Sequence, residues 1–327
     1  MPPSARFHLY ASCLNPLLQL PKFPQMRHNA SMSHDPIQAE LIAVLVAVTS
    51  GDPRVLTIES GYALPSGQLE TGHRSLQAGV RAWVERQTHH PLGYVEQLYT
   101  FADQQRLHQL RSISISYLGL SRERAVTGPE TAWCSWYAYF PWEDRRRPST
   151  LISRVILPRL AAWSGDDMAR RARVSGLFGQ EGRLWNEELV LQRYELLYEA
   201  GLVQEAIRAR PSLPADPLPG AAMTHDHRRI LATAIARLRA KIKYRPVVFE
   251  LLPSTFTMLE LQQAIEALAG QTLHKPNFRR LIEQQELVEE TGQVSTGLAG
   301  RPAKLFRFRT SVLEERAFSG TKLPLTR

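Results

Sequence analysis

The sequence predicts an α+β chain of two domains: a mixed β-sheet between helices, then a smaller basic unit of helices closed by a β-hairpin. Three observations carry this. First, 327 residues are too many for one average domain and enough for two cores. Second, apolar residues follow strand-like runs early in the chain and a helical period near its end. Third, RPSLPADPLPG places prolines at 211, 214, 217 and 219, a composition that resists both helix and sheet. The expected division is residues 36–210, a Pro-rich linker at 211–223, a second domain at 224–310 and a tail at 311–327. Residues 1–35 are expected to be disordered or to follow a mis-assigned start, with Met26 and Met32 as alternatives.

Composition narrows the functional class. The chain is 43% apolar and 22% charged, with a formal charge of +9 and a pI near 9.8, which points to a polyanionic partner, nucleic acid first. Two cysteines, Cys13 and Cys134, are too few for a disulfide framework or a zinc site and suit a reducing compartment, so a cytoplasmic location is expected. LIAVLVAV at 41–48 falls far short of the roughly 18 residues that span a bilayer and reads as a buried strand. Prolines interrupt LYASCLNPLLQLPKFP and no small-residue cleavage pattern follows, so no signal peptide is expected.

Taken in order, the first domain reads strand from Glu40, turn at Ser50-Gly51-Asp52-Pro53, strand VLTI, a Gly-rich loop and a helix at Leu76–Gln87. GYVEQLYTF and RSISISYLGL follow as strands. Residues 121–210 hold an aromatic cluster, WCSWYAYFPW, a basic loop, EDRRRP, and a helical run, LWNEELVLQRYELLYEAGLV, ended or kinked at Gly201. The aromatic cluster reads as a packed lid rather than an adenine-stacking surface, and Arg145, Arg146 and Arg147 as a solvated loop rather than a phosphate contact.

In the second domain 14 Lys and Arg stand against 8 Asp and Glu. HRRILATAIARLRAKI sets Ile230, Leu231, Ile235, Leu238 and Ile242 on one helical face, with Arg237, Arg239, Lys241 and Lys243 mostly on others. Thr257 and Glu260 have the spacing of a capping box ahead of MLELQQAIEALA, and Gly270 stops that helix. Pro276 suits the first turn of HKPNFRRLIEQQ, where Phe278, Leu281 and Ile282 are expected inward and Asn277, Arg280 and Gln284 outward. Two helices at a short turn form a helix-turn-helix. LVEETG and AKLFRFR then read as a hairpin whose tip, QVSTGLAGRP, is a wing.

The spacing of Gly67, Arg81 and Glu85 resembles the Nudix box, G-x5-E-x7-R-E-U-x-E-E-x-G-U. His73 stands at the first glutamate, Ala82 at the second, Trp83 at the apolar position, Glu85 at the third glutamate, Arg86 at the fourth and Thr88 at the last glycine. Magnesium requires several oxygen ligands, and one carboxylate beside a guanidinium cannot supply the template for metal-assisted attack on a pyrophosphate. Little or no hydrolysis is expected. RPVVFELLPSTFTMLELQQAIEALAGQTLHKPNFRRLIEQQELVEETG and GRPAKLFRFR closely resemble the C-terminal domain of the Nudix-related, NrtR/NadQ-like transcriptional regulators of NAD metabolism, and the segment at 121–210, larger than the compact family pattern, resembles a longer α-proteobacterial branch. The resemblance implies a Nudix-fold sensor followed by a winged helix. It further implies a dimeric regulator, a repressor of NAD biosynthesis or salvage genes, that binds double-stranded DNA at a near-palindromic operator. No cofactor or metal is implied; the effector is ADP-ribose or a related NAD-derived nucleotide.

On that reading Lys275, Asn277, Arg279, Arg280 and Gln284 face DNA, with Arg suited to guanine, Asn or Gln to adenine, and Lys275 to phosphate. Arg301 and Lys304 are expected as phosphate clamps at the wing, with Glu289 and Glu290 turned away. The nucleotide candidates are Glu70, Arg81, Glu85, Tyr99, Phe101, Arg106 and Arg111, led by Arg81 and Arg106 because pyrophosphate favours arginine. Each has an ordinary alternative: Arg81 pairing with Glu85, or Tyr99 and Phe101 in the core. The rival class is a divergent Nudix pyrophosphatase for ADP-ribose or NADH using Glu70 and Glu85; a third is a non-regulatory RNA-binding module.

Overall fold

The turn at Ser50-Gly51 starts the sheet. In this computed structural model, which describes residues 38–102, 112–124, 128, 130–244, 247–295 and 302–309, strand β1 (Gln38–Thr49) passes through Ser50 (φ 52°) and Gly51 (φ 72°) into β2 (Asp52–Thr57). Two successive left-handed residues give the two-residue hairpin whose twist suits antiparallel strands, and Thr49 faces Asp52. There follow β3 (Ser66–Gln68), α1 (Leu76–Thr88), β4 (Tyr94–Phe101), β5 (Ser112–Leu120) and β6 (Ala132–Ser135). The sheet runs β4-β5-β1-β2-β6, with β3 also paired to β1; β1 and β5 are parallel and the other pairs antiparallel.

LIAVLVAV is buried on both faces, and its alternation divides two clusters. Leu41, Ala43, Leu45 and Ala47 pack with Val80 and Val84 of α1, whereas Ile42, Val44 and Val46 join a larger core on the opposite face. Ser75 caps α1 by accepting from the Ala78 amide, and His89, at φ 53°, ends it.

After β6 come α2 (Trp136–Tyr139), α3 (Leu157–Ser164), α4 (Met168–Phe178), α5 (Val190–Glu199), α6 (Gln204–Ala209) and α7 (His227–Tyr244). The helical run expected from Leu184 becomes regular only at Val190, because the Asn186 side chain accepts from the Glu188 amide and holds the chain in a turn. The aromatic cluster is interior: Trp136, Tyr139, Phe140 and Trp142 are each at most 2% exposed.

Helix α7 covers the sheet face opposite α1. Its Ile230, Leu231, Ile235 and Leu238 share the large core with β1, β4 and α5 residues, rather than building a separate core for the second domain. The Pro-rich stretch at 211–223 is likewise docked. Leu218 and Met223 are buried, and the amides of Leu218, Ala221 and Thr224 donate to Leu202, Ala138 and Tyr62. Proline removes donors but leaves apolar side chains free to pack, so no break in packing falls at 211–223.

The chain continues through β7 (Phe256–Thr257), α8 (Met258–Ala269), α9 (Lys275–Gln284), β8 (Val288–Val294) and β9 (Lys304–Phe308). Strands β7, β9 and β8 form a small antiparallel sheet beside the two helices. The capping box of Thr257 and Glu260 is formed, Gly270 ends α8 at φ 72°, and Pro276 lies in the first turn of α9. This is a helix-turn-helix with a wing. Among the described residues no helix is long and apolar enough to cross a membrane.

Candidate nucleic-acid and nucleotide sites

The basic excess of the C-terminal part is unevenly available. Arg228 pairs with Glu205, Arg229 with Glu195, Arg239 with Glu143, Lys241 with Glu96, and Lys243 with Glu187 and Glu188. All these cations are on α7, and all these acids precede it. Arg239, expected on an outer face, is fully buried because the Glu143 carboxylate and carbonyl, the Leu268 and Glu187 carbonyls and the Tyr137 hydroxyl meet its guanidinium there.

Among the described residues, most of the remaining unpaired cations are on α9, with Arg237 exposed on α7. Phe278 and Ile282 are buried against α8, and Asn277, Arg280 and Gln284 are exposed opposite them. Lys275, Arg279 and Arg280 have no ion-pair partner among the described residues. Leu281, expected inward, is 50% exposed: two buried residues one turn apart suffice to seat so short a helix, and Leu281 lies beyond their stripe. On the wing, Lys304 is held by Glu290 at 2.8 Å and Arg307 by Glu289 at 2.6 Å, so these acids balance the hairpin's cations. Arg301 lies outside the described residues.

A buried junction ties this unit to the rest. Glu143 accepts from Arg193 at 2.6 and 2.9 Å and from Arg239 at 2.7 Å, all three side chains being at most 1% exposed. Two guanidiniums against one carboxylate leave an excess positive charge. The C-terminal end of α8 meets it: Arg239 donates to Leu268 O, and the Tyr137 hydroxyl donates to Ala267 O at 2.7 Å. Helix carbonyls at that end carry partial negative charge, which offsets the excess. Burial raises the Tyr137 phenol above its ordinary range, with the Arg239 charge opposing, so the hydroxyl stays a donor.

On the α1 side, residues 67–88 form a ledge in which, among the described residues, no carboxylates cluster. Arg86 stacks over the Trp83 ring at 4.4 Å and pairs with Glu70 at 3.6 Å, while His73 lies 3.6 Å from the other Glu70 oxygen. The Trp83 indole donates to Gln68 O, and its ring lies so close to Gly67 that an added Cβ there would come within 2.2 Å. That contact is a packing reason for a glycine at this position. Arg81 makes no pair with Glu85; its guanidinium donates to the carbonyls of Leu92 and Gly93, fixing the turn into β4. Glu85 is exposed on α1.

Phe101 and Tyr99 do not join this ledge. Phe101 is 5% exposed and belongs to the core on the opposite face of the sheet, where Arg229 lies 5.1 Å from its ring. Tyr99 is 54% exposed, 4.8 Å from Phe101. Arg106 and Arg111 lie outside the described residues. Among the described residues no group of three or more His, Cys, Asp or Glu side chains converges as a metal site. The Trp83–Arg86 stack escaped the sequence because pattern matching treats each position singly; aromatic and arginine at i and i+3 were the available signal.

The class defined by this geometry is a winged-helix unit packed on a Nudix-like α/β layer. Comparison with known proteins agrees. Residues 248–308 match the family model of the NrtR DNA-binding winged helix domain, a segment that begins after α7. The "ADPR responsive transcriptional repressor NtrR" of Acinetobacter baylyi is 41% identical over 87 residues, covering 26% of this chain and 34% of that protein, so the match spans about a third of the relative's length. The NrtR of Shewanella oneidensis, solved in complex with a 27mer DNA, superposes with a TM-score of 0.52 at 20% identity over 84% of this chain and 95% of its own. A second crystal structure of the same protein gives 0.51 at 20% identity, again over 84% and 95%. At that identity the superposition shows a shared fold.

Proposed function

We propose that this chain is a DNA-binding transcriptional regulator, a repressor of NAD biosynthesis or salvage genes, controlled by ADP-ribose or a related NAD-derived nucleotide bound in its Nudix-like layer. The observation that carries the reading is α9: it presents Asn277, Arg280 and Gln284, together with Lys275 and Arg279, which have no ion-pair partner among the described residues, from a segment that matches a DNA-binding winged-helix model. The Acinetobacter relative is named for its response to ADPR, which supports that effector class. The Nudix-like layer acts in binding rather than hydrolysis, because His73, Ala82 and Arg86 occupy acid positions, Glu85 alone keeps an acid there, and the nearby Glu70 is engaged by Arg86 and His73. The working form is a cytoplasmic homodimer on a near-palindromic operator, its two recognition helices about one turn of DNA apart, roughly 34 Å.

The test is a salt-controlled binding assay on promoters of NAD genes, titrated with ADP-ribose, NAD and ATP. Specific retention of at least one promoter, altered by one nucleotide, is expected; indifference to every promoter at physiological salt would overturn the regulator reading. In parallel, ADP-ribose with magnesium or manganese should yield no AMP at an enzymatic rate. A turnover of roughly 1 per second or more would restore the hydrolase.

A further inference from the structure

Asn277, Arg280, Leu281 and Gln284 fall at i, i+3, i+4 and i+7, the spacing of a single helical face. The three polar members were expected there; Leu281 was not. It is 50% exposed, while Phe278 and Ile282 at 7% and 5% seat the helix. Apart from Pro276 in the first turn, every other exposed side chain of α9 is polar or charged, so Leu281 stands alone within a polar reading face. A lone surface leucine is ordinary in itself. Its position is not: it adjoins two amide side chains and an arginine on the face of a helix whose cations lack acid partners among the described residues, a surface complementary to a polyanion.

One apolar group is displayed along the floor of the major groove, the C5 methyl of thymine, which aliphatic side chains contact as amides and arginine contact adenine and guanine. The geometry points to Leu281 as a specificity-determining residue that reads a thymine methyl beside the bases read by Asn277, Arg280 and Gln284. This rests on the DNA-binding reading above and adds an apolar determinant to it. Deoxyuridine differs from thymidine by that methyl alone, so it isolates the contact.

The experiment uses the full chain and a random-sequence duplex library. The tightest duplex recovered is resynthesised with deoxyuridine replacing each thymidine in turn, and binding is measured for the wild type and for Leu281→Ala. At one or more positions the wild type should lose about fourfold in affinity, the equivalent of roughly one buried methyl. Leu281→Ala should bind the thymidine and deoxyuridine forms alike at that position, with an unchanged melting temperature. A recovered site without thymine, a wild type indifferent to the methyl everywhere, or a Leu281→Ala variant that keeps the same discrimination would each overturn the proposal while leaving DNA binding intact. Failure to recover any duplex above the bulk library would overturn the regulator reading and this proposal with it.

Discussion

His90 illustrates how one side chain sets a condition on the fold. Its ring is buried, its Nε2 lies 2.8 Å from the Ser121 hydroxyl, and it packs edge-on to Trp133 at 5.5 Å. Burial holds its pKa below the ordinary 6.5, with Arg124 adding to the effect. The native state therefore resists a proton that the unfolded chain accepts, so stability falls as pH drops from above 6.5 toward the lowered native value. Melting temperature between pH 7.5 and 5.5 should decline in the wild type, and His90→Gln should remove part of that slope; identical slopes would reject the assignment. At α9 the residue-scale prediction is a contrast in kind. Arg280→Ala should weaken the best site by about 1–3 kcal/mol and relax preference at one base pair, whereas Lys275→Ala should weaken all sequences alike and lower the salt slope by about one. Binding titrations of both variants against specific and random duplexes decide between these roles.

Helix α8 depends at one end on its own sequence and at the other on its surroundings. Its N-terminus closes locally, with Thr257 and Glu260 each bonding the other's backbone. The C-terminus is set by distant residues: a Cβ at Gly270 would meet Glu143 O at 2.4 Å and Arg239 at 2.7 Å, and the Arg145 amide donates to Gly270 O. Gly270→Ala thus combines a left-handed φ with a backbone clash and should destabilise by more than the usual ~1 kcal/mol for that conformation. Glu143→Gln leaves two guanidiniums buried without a counter-charge, for which about 3–5 kcal/mol is expected. Urea unfolding of both variants checks this, and a Glu143→Gln loss under about 1 kcal/mol would show that water reaches the junction.

For the whole molecule, the packing of α7 gives the proposed sensor and reader a physical connection. One face of α7 buries apolar residues against β1 and β4, and its Arg239 reaches the end of α8. Movement of the sheet layer therefore has a rigid route to the helix-turn-helix. A nucleotide that changes operator affinity should do so by about 1–3 kcal/mol, and linkage requires the operator to change nucleotide affinity by the same factor. Calorimetric titration of ADP-ribose with and without the selected duplex measures it; equal affinities would reject the coupling even if both ligands bind tightly.

Local chemistry alone determined much of this protein. The Ser50-Gly51 turn, the buried strand at 41–48, the capping box, the Gly270 stop and Pro276 in the first turn of α9 each follow from interactions within a few residues, so their signals are complete in the sequence. Tertiary structure decided what depends on distant partners. α7 reads as the first helix of a basic domain until Glu96, Glu143, Glu195 and Glu205 are brought to its cations, and the prolines at 211–223 read as a tether until Leu218 and Met223 find the core. Likewise the periodicity of α9 marked Leu281 as apolar but could not say that Phe278 and Ile282 would fill the available interface. Charge pairing and burial are properties of which surfaces meet, and that is fixed only when the whole chain has folded.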